Sequence, residues 1–195
     1  GLASAAAGVE VPPVEPIPSA FDRSVEPAKG PAPSITTPAV WTHTYSNGLK
    51  LYGIEQHEVP LIQFSLSVAG GTLLDDPAKV GVANLVSDIM MEGTANKTPL
   101  ELEQAIDDLG AVINMGTSRQ AVQLSANGLK SRGPQMVGLV QEILLQPRWD
   151  EKELARIKDE TVEVLNRQSV NPPAVGNNVF NRLVYGDGNI LGVNT

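Results

Sequence analysis

The sequence predicts an α+β fold, an antiparallel or mixed β-sheet with helices packed on it. Two observations carry that expectation. Segments with two-residue alternation fall in two clusters, and segments with 3.6-residue apolar spacing follow each cluster. The resulting order, β-β-β-α-α-β-β-α-α-α, lacks the strict strand–helix alternation of a parallel sheet. The 195 residues show no internal repeat.

Each element has its own signal. Trp41 to Tyr45 and Leu49 to Ile54 flank Ser46-Asn47-Gly48, and an Asn-Gly between two β-prone runs marks a hairpin. After Glu58-Val59-Pro60, residues Leu61 to Val68 alternate as a strand, closed by Gly70-Gly71. Val82, Leu85, Val86, Ile89 and Met90 fall at helical spacing and predict a helix over about 78–91, stopped by Gly93. Thr98-Pro99-Leu100-Glu101 is a capping box with proline at the first helical position. The helix it opens carries Leu102, Ala105, Ile106 and Leu109, and Gly110 ends it. Residues 111–117 and 121–127 predict a second hairpin around Ser118-Arg119-Gln120. Met136, Val137, Leu139, Val140, Ile143 and Leu144 mark a further helix. Asp150 to Glu153 reads as another box-like cap, opening a helix that Asn171-Pro172-Pro173 breaks. A last helix is expected over about 174–183.

Residues 1–40 are different in kind. They hold eight of the fifteen prolines: Pro12, Pro13, Pro16, Pro18, Pro27, Pro31, Pro33 and Pro38. Each proline fixes its φ and removes a donor, so this segment predicts an extended linker or arm, with Phe21 and Ile35 available to pin it. The domain proper is expected over 41–195.

Composition excludes several function classes. The net charge of −8, with 14 scattered basic residues, argues against nucleic-acid binding. The chain has no cysteine, which removes disulfides, thiolate catalysis and cysteine-based zinc sites. No apolar run is long enough to span a membrane. Of the two histidines, His43 alternates with Trp41 and Tyr45 on a strand, and His57 lies in a charged turn, so neither has an imidazole partner at helical spacing. No Gly-x-Ser-x-Gly elbow and no glycine-rich phosphate loop is present. Asp75-Asp76 and Asp107-Asp108 are adjacent pairs, which on a helix point about 100° apart. Asp75-Asp76-Pro77 suits a helix start, where carboxylates meet the positive end of the dipole.

The run Gly81-Val-Ala-Asn84-Leu-Val-Ser87-Asp88-Ile-Met-Met-Glu-Gly93-Thr94 resembles the signature helix of the M16 (insulinase/pitrilysin-like, mitochondrial-processing-peptidase-like) zinc peptidases. That family reads Gly-Leu-Ala-His-Phe-Leu-Glu-His, then apolar residues, then Gly-Thr, and its H-x-x-E-H is the inverted zinc motif. Leu109 to Arg119 resembles the family's edge-strand segment, and Leu145 to Asp150 its approach to a long helix. The Phe21-Asp-Arg-Ser24 prefix, Val40-Trp41 and the Asn47-Gly48 hairpin resemble the start of the second half of large bacterial tandem members.

The resemblance implies a fold, an M16-type (mitochondrial-processing-peptidase-like metallohydrolase) domain, and a defective metal site. Asn84 stands at the first histidine position, Ser87 at the glutamate and Asp88 at the second histidine. Counting back from Asn171-Pro172 puts Val164 at the third-ligand position, with Glu163 one residue out of phase. An amide and one carboxylate are poor substitutes for two imidazoles. This chain is therefore expected to hold no catalytic residue and no metal, zinc being carried by a catalytic M16 half in the same chain or a partner subunit. Its expected role is a wall of a clamshell chamber for peptides, with Asn114, Met115 and Gly116 on an edge strand open to an extended peptide. A pseudo-peptidase scaffold subunit is the alternative; an enzyme using Ser87, Asp88, Glu92 or Glu163 is the remote one. The parent protein is expected to be a periplasmic bacterial M16 zinc metallopeptidase, of which this chain is a fragment. The family's inactive half often contributes an arginine and a tyrosine to substrate; Arg182 and Tyr185 are read instead as residues that pack on or flank the last helix.

Overall fold

A computed structural model describes residues 24–26 and 28–193; the expected arm's first 23 residues, with Phe21, lie outside them. The chain divides into two compact units, Gly1–Glu55 and Gln56–Thr195, so the division falls after the first hairpin, whereas the composition changes near residue 40. Residues 28–39 form neither helix nor strand.

In the first unit, β1 (Val40–Thr44) pairs antiparallel with β2 (Lys50–Ile54). The Gly48 N–H closes the turn onto the Tyr45 carbonyl at 3.0 Å, and Gly48 takes a φ of 88°, a conformation glycine adopts without strain. Trp41 faces Gly53 across the pair, and its indole lies where any Cβ at 53 would be.

The second unit is a three-stranded antiparallel sheet with five helices. Strand order is β3 (Leu61–Ala69), β5 (Ala121–Leu129), β4 (Val112–Thr117), with β5 in the centre. The sheet has one wet face and one dry face, as alternation requires. Register aligns Phe64 and Ile113 with Ala126, and Leu66 and Met115 with Leu124, on the dry face. Gln63, Ser65, Asn127 and Asn114 belong to the other. The dry face is covered chiefly by α3 (Gly133–Leu145), which buries Met136, Leu139, Val140 and Ile143 at i, i+3, i+4 and i+7. Leu102 from α2 (Pro99–Asp108) completes that core. The capping box that opens α2 is complete: Thr98 accepts from the Glu101 N–H, and Glu101 accepts from the Thr98 N–H at 2.8 Å.

Helix α1 (Val82–Met90) starts later than its apolar spacing suggests. Gly81 sits at φ 95°, which ends any helical run before it. Asp75 then caps the helix from a distance, accepting the Gly81 N–H at 2.9 Å and the Ala83 N–H at 3.0 Å. The expectation of a carboxylate at the dipole's positive end is met by that residue. The last two helices are α4 (Glu151–Ser169) and α5 (Pro172–Tyr185). The prolines at 172 and 173 begin α5 rather than delaying it to 174, because a first-turn proline surrenders no hydrogen bond.

The Gly93-Thr94 pair has a structural task. Gly93 has φ 107°, and a Cβ there would stand 2.6 Å from the Lys97 carbonyl oxygen. Thr94 is fully buried and donates its hydroxyl to Glu142 of α3 at 2.6 Å. Lys97 pairs with the other oxygen of Glu142 at 2.7 Å, and Asn96 donates at 3.2 Å. The loop leaving α1 is thus tied to α3 through one carboxylate. Lys97 first, and Thr94 second, hold the Glu142 carboxyl below its ordinary value.

A depressed carboxylate pKa in the folded state stabilises above the unfolded value of 4.5 and is lost as pH falls through the folded one. Glu142→Gln should therefore lower stability at pH 7 and flatten the acid side of the stability curve, read by urea unfolding from pH 7 to 3; an unchanged acid slope would contradict the assignment. Thr94→Val should cost about 1–2 kcal/mol at pH 7 in the same assay.

Candidate functional site

Helix α1 packs between β4 and α4, and this arrangement opens a groove beside the edge strand. The cavity is about 520 Å³. Asp88 lines it from α1, Met91 and Glu92 from the turn that follows, Asn114 and Met115 from β4, and Glu160, Thr161 and Val164 from α4. Among the described residues β4 pairs only with β5, so its outer edge carries no strand.

The long helix is well anchored. Asp150 caps α4 by accepting the Lys152 N–H at 2.9 Å, and that bond, with Arg148 second, holds its carboxyl low. Glu153 forms no reciprocal box; it takes Nε of Arg156 at 2.8 Å instead. Arg156 also reaches Glu160 at 2.8 Å and Glu92, in the turn after α1, at 2.6 Å. One guanidinium therefore joins that turn to α4, using its fork geometry on three carboxylates.

The residues singled out from the sequence separate into two sets. Asp88, Val164, Asn114 and Met115 share the groove. Asn84, Ser87 and Gly116 do not line it. Ser87 is 1% exposed and donates to the Asn84 carbonyl at 2.8 Å. Its oxygen lies 2.9 Å from the Thr117 hydroxyl, which donates to the Ala83 carbonyl at 2.8 Å. A side chain so committed cannot activate a water. Glu163 points away toward Arg167, at 3.9 Å, on an exposed surface. Arg182 pairs with Asp187 at 3.0 Å, and neither it nor Tyr185 lines the groove. His43 packs edge-on to Tyr45 in the first hairpin, 4.6 Å between centroids.

Three residues at or beside the groove escaped sequence reasoning: Glu92 and Glu160, which line it, and Arg156, which bridges them. The signal was present. Glu153, Arg156 and Glu160 stand at i, i+3 and i+7, one helix face, and Glu160 is one turn before Val164. The Asp88 carboxyl is held above its ordinary range, by partial withdrawal from water first and by the neighbouring Glu92 second.

The model of the insulinase family, peptidase family M16, matches residues 54–186. The chain belongs to the M16 peptidase family. It is 28% identical over 138 residues to the alpha subunit of the mitochondrial-processing peptidase of Solanum tuberosum, covering 68% of this chain and 27% of that protein. It is 25% identical over 126 residues to the non-peptidase homolog YmxG of Helicobacter pylori, covering 64% and 29%. The crystal structure of a peptidase M16 inactive domain from Pseudomonas fluorescens superposes with a TM-score of 0.74 at 25% identity, over 80% of this chain and 38% of that one. The chain spans between 24% and 36% of the length of the curated relatives it matches.

The M16 fold implies zinc, and the residues present do not fit it. Asn84, Asp88 and Val164, the residues that the sequence resemblance sets at the ligand positions, offer an amide, a carboxylate and an alkyl chain, a poor donor set beside two imidazoles and one carboxylate. Among the described residues no group of three or more His, Cys, Asp or Glu is arranged to hold a metal ion.

Ser87→Glu should destabilise the domain by about 2–4 kcal/mol, because it buries a carboxylate where a paired hydroxyl fits; unfolding at the wild-type urea midpoint would contradict the packing. Glu92→Gln removes the like charge beside Asp88, so the Asp88 pKa should fall while staying above ordinary, burial being the larger cause. A carboxyl-detected NMR titration reads the change, and a rise would contradict it.

Proposed function

We propose that this chain is a non-catalytic M16 domain that forms one wall of a peptide-binding chamber. The observation that carries the reading is the groove along β4: it keeps an open strand edge, Asp88 and Val164 line it, and Ser87 is buried outside it. The inactive domain among solved structures and the non-peptidase homolog among relatives support the same reading. Zinc, on this account, belongs to a catalytic M16 half in the same polypeptide or in a partner subunit, and the parent works in the periplasm.

An extended peptide would add to the β4 edge through main-chain hydrogen bonds, beside Asn114, Met115 and Gly116. Asp88, Glu92 and Glu160 make that groove acidic, with Arg156 offsetting part of the charge. A second reading, a scaffold subunit without a role in proteolysis, draws support from relatives named as alpha and beta subunits. Among the described residues no helix is long and apolar enough to cross a membrane.

Mixing separates the two readings. The chain alone should cleave no unstructured peptide, and adding it to a zinc-bearing M16 half should raise that half's activity. Backbone NMR with the same peptide should shift residues 111–117. Undisturbed signals there, with no gain on mixing, would sink the chamber reading and favour the scaffold.

A further inference from the structure

A second cavity, of about 450 Å³, lies away from the groove, between the β4–β5 turn and the face of α5. Its walls are unusual for a helix packed on a domain. Gln168 and Asn171 at the α4–α5 junction, and Asn177, Asn178 and Asn181 on α5, converge on it with Arg119 from the hairpin tip. Asn171, Asn178 and Asn181 recur at i, i+7 and i+10, the stripe where an amphipathic helix ordinarily carries apolar side chains. Here the apolar residues Val179, Phe180 and Leu183 are exposed, and Asn178 and Asn181 are the half-buried ones.

Among the described residues none of these five carboxamides makes a side-chain hydrogen bond, and Arg119 makes no ion pair. Among the described residues no Asp or Glu lines the cavity, although the chain has 22 of them and a net charge of −8. Its far wall is held in shape by a tight turn: Asn189 accepts the Leu191 N–H at 2.9 Å, and a Cβ at Gly192 would overlap the Gly186 carbonyl. Ile190 and Leu191 add an apolar strip to that wall.

The geometry points to a binding site for the carboxy-terminal end of a peptide. One guanidinium with no acidic neighbour in the cavity suits a single carboxylate, by paired charge-assisted bonds. Each carboxamide offers both a donor and an acceptor, the complement of a peptide group. Ile190 and Leu191 suit one apolar side chain. Among the described residues no aromatic ring lines the cavity to stack on a sugar or a base, and a lone cation is a weak match for a polyphosphate. The site is independent of the β4 groove and of its reading.

The test uses the whole chain and two probes, the tripeptide Ala-Ala-Leu as the free acid and as its carboxy-terminal amide. The free acid should shift the side-chain amide signals of Asn177, Asn178 and Asn181, and the amidated probe should bind about tenfold more weakly. Arg119→Gln should erase that difference by weakening only the free acid. Asn177→Ala, on an exposed position, should weaken both probes with no change in melting temperature. Equal binding of acid and amide, an unaltered preference in Arg119→Gln, or no shift of the three side-chain amides at millimolar peptide would each overturn the assignment.

Discussion

A pair of hydroxyls, buried Ser87 on α1 and half-buried Thr117 on β4, sets the spacing from which the groove is made. Both oxygens also meet main-chain carbonyls of α1, so the helix and the edge strand are joined through them. The Ser87 side chain is a seam between two elements, small, hydrogen-bonded and buried.

The ends of α1 are held by separate means. Asp75 caps its start, and the loop beyond its end is tied through Thr94 and Lys97 to Glu142. Arg156 of α4 then holds the turn beyond the end of α1 through Glu92. An arginine thus joins the turn after α1 to α4 beside the groove. It neutralises carboxylates without offering a Lewis acid, so the groove keeps its walls and its acidic character.

Much of this was legible in the sequence. The order of elements followed from alternation and helical spacing, and the Thr98–Glu101 box was readable to the residue. The positions of Asn84, Ser87, Asp88 and Val164 came from the family resemblance alone; spacing by itself showed only a polar helix face. The boundaries missed had local causes: Gly81 in a left-handed conformation shortened α1, and first-turn prolines lengthened α5. Arg156 stayed hidden because its decisive partner, Glu92, lies 64 residues away by number and meets it only after folding. The carboxamide face of α5 was also invisible, since asparagine at helical spacing ordinarily marks the wet side.

On the proposed reading, the arginine-bridged groove beside Asp88 holds no metal in this chain. Equilibrium dialysis against zinc, followed by metal analysis of the chain and of its Asp88→Ala variant, tests it most directly. The account predicts far less than one zinc per chain, and the same value for both proteins. One tightly held zinc per chain, lost in Asp88→Ala, would contradict it.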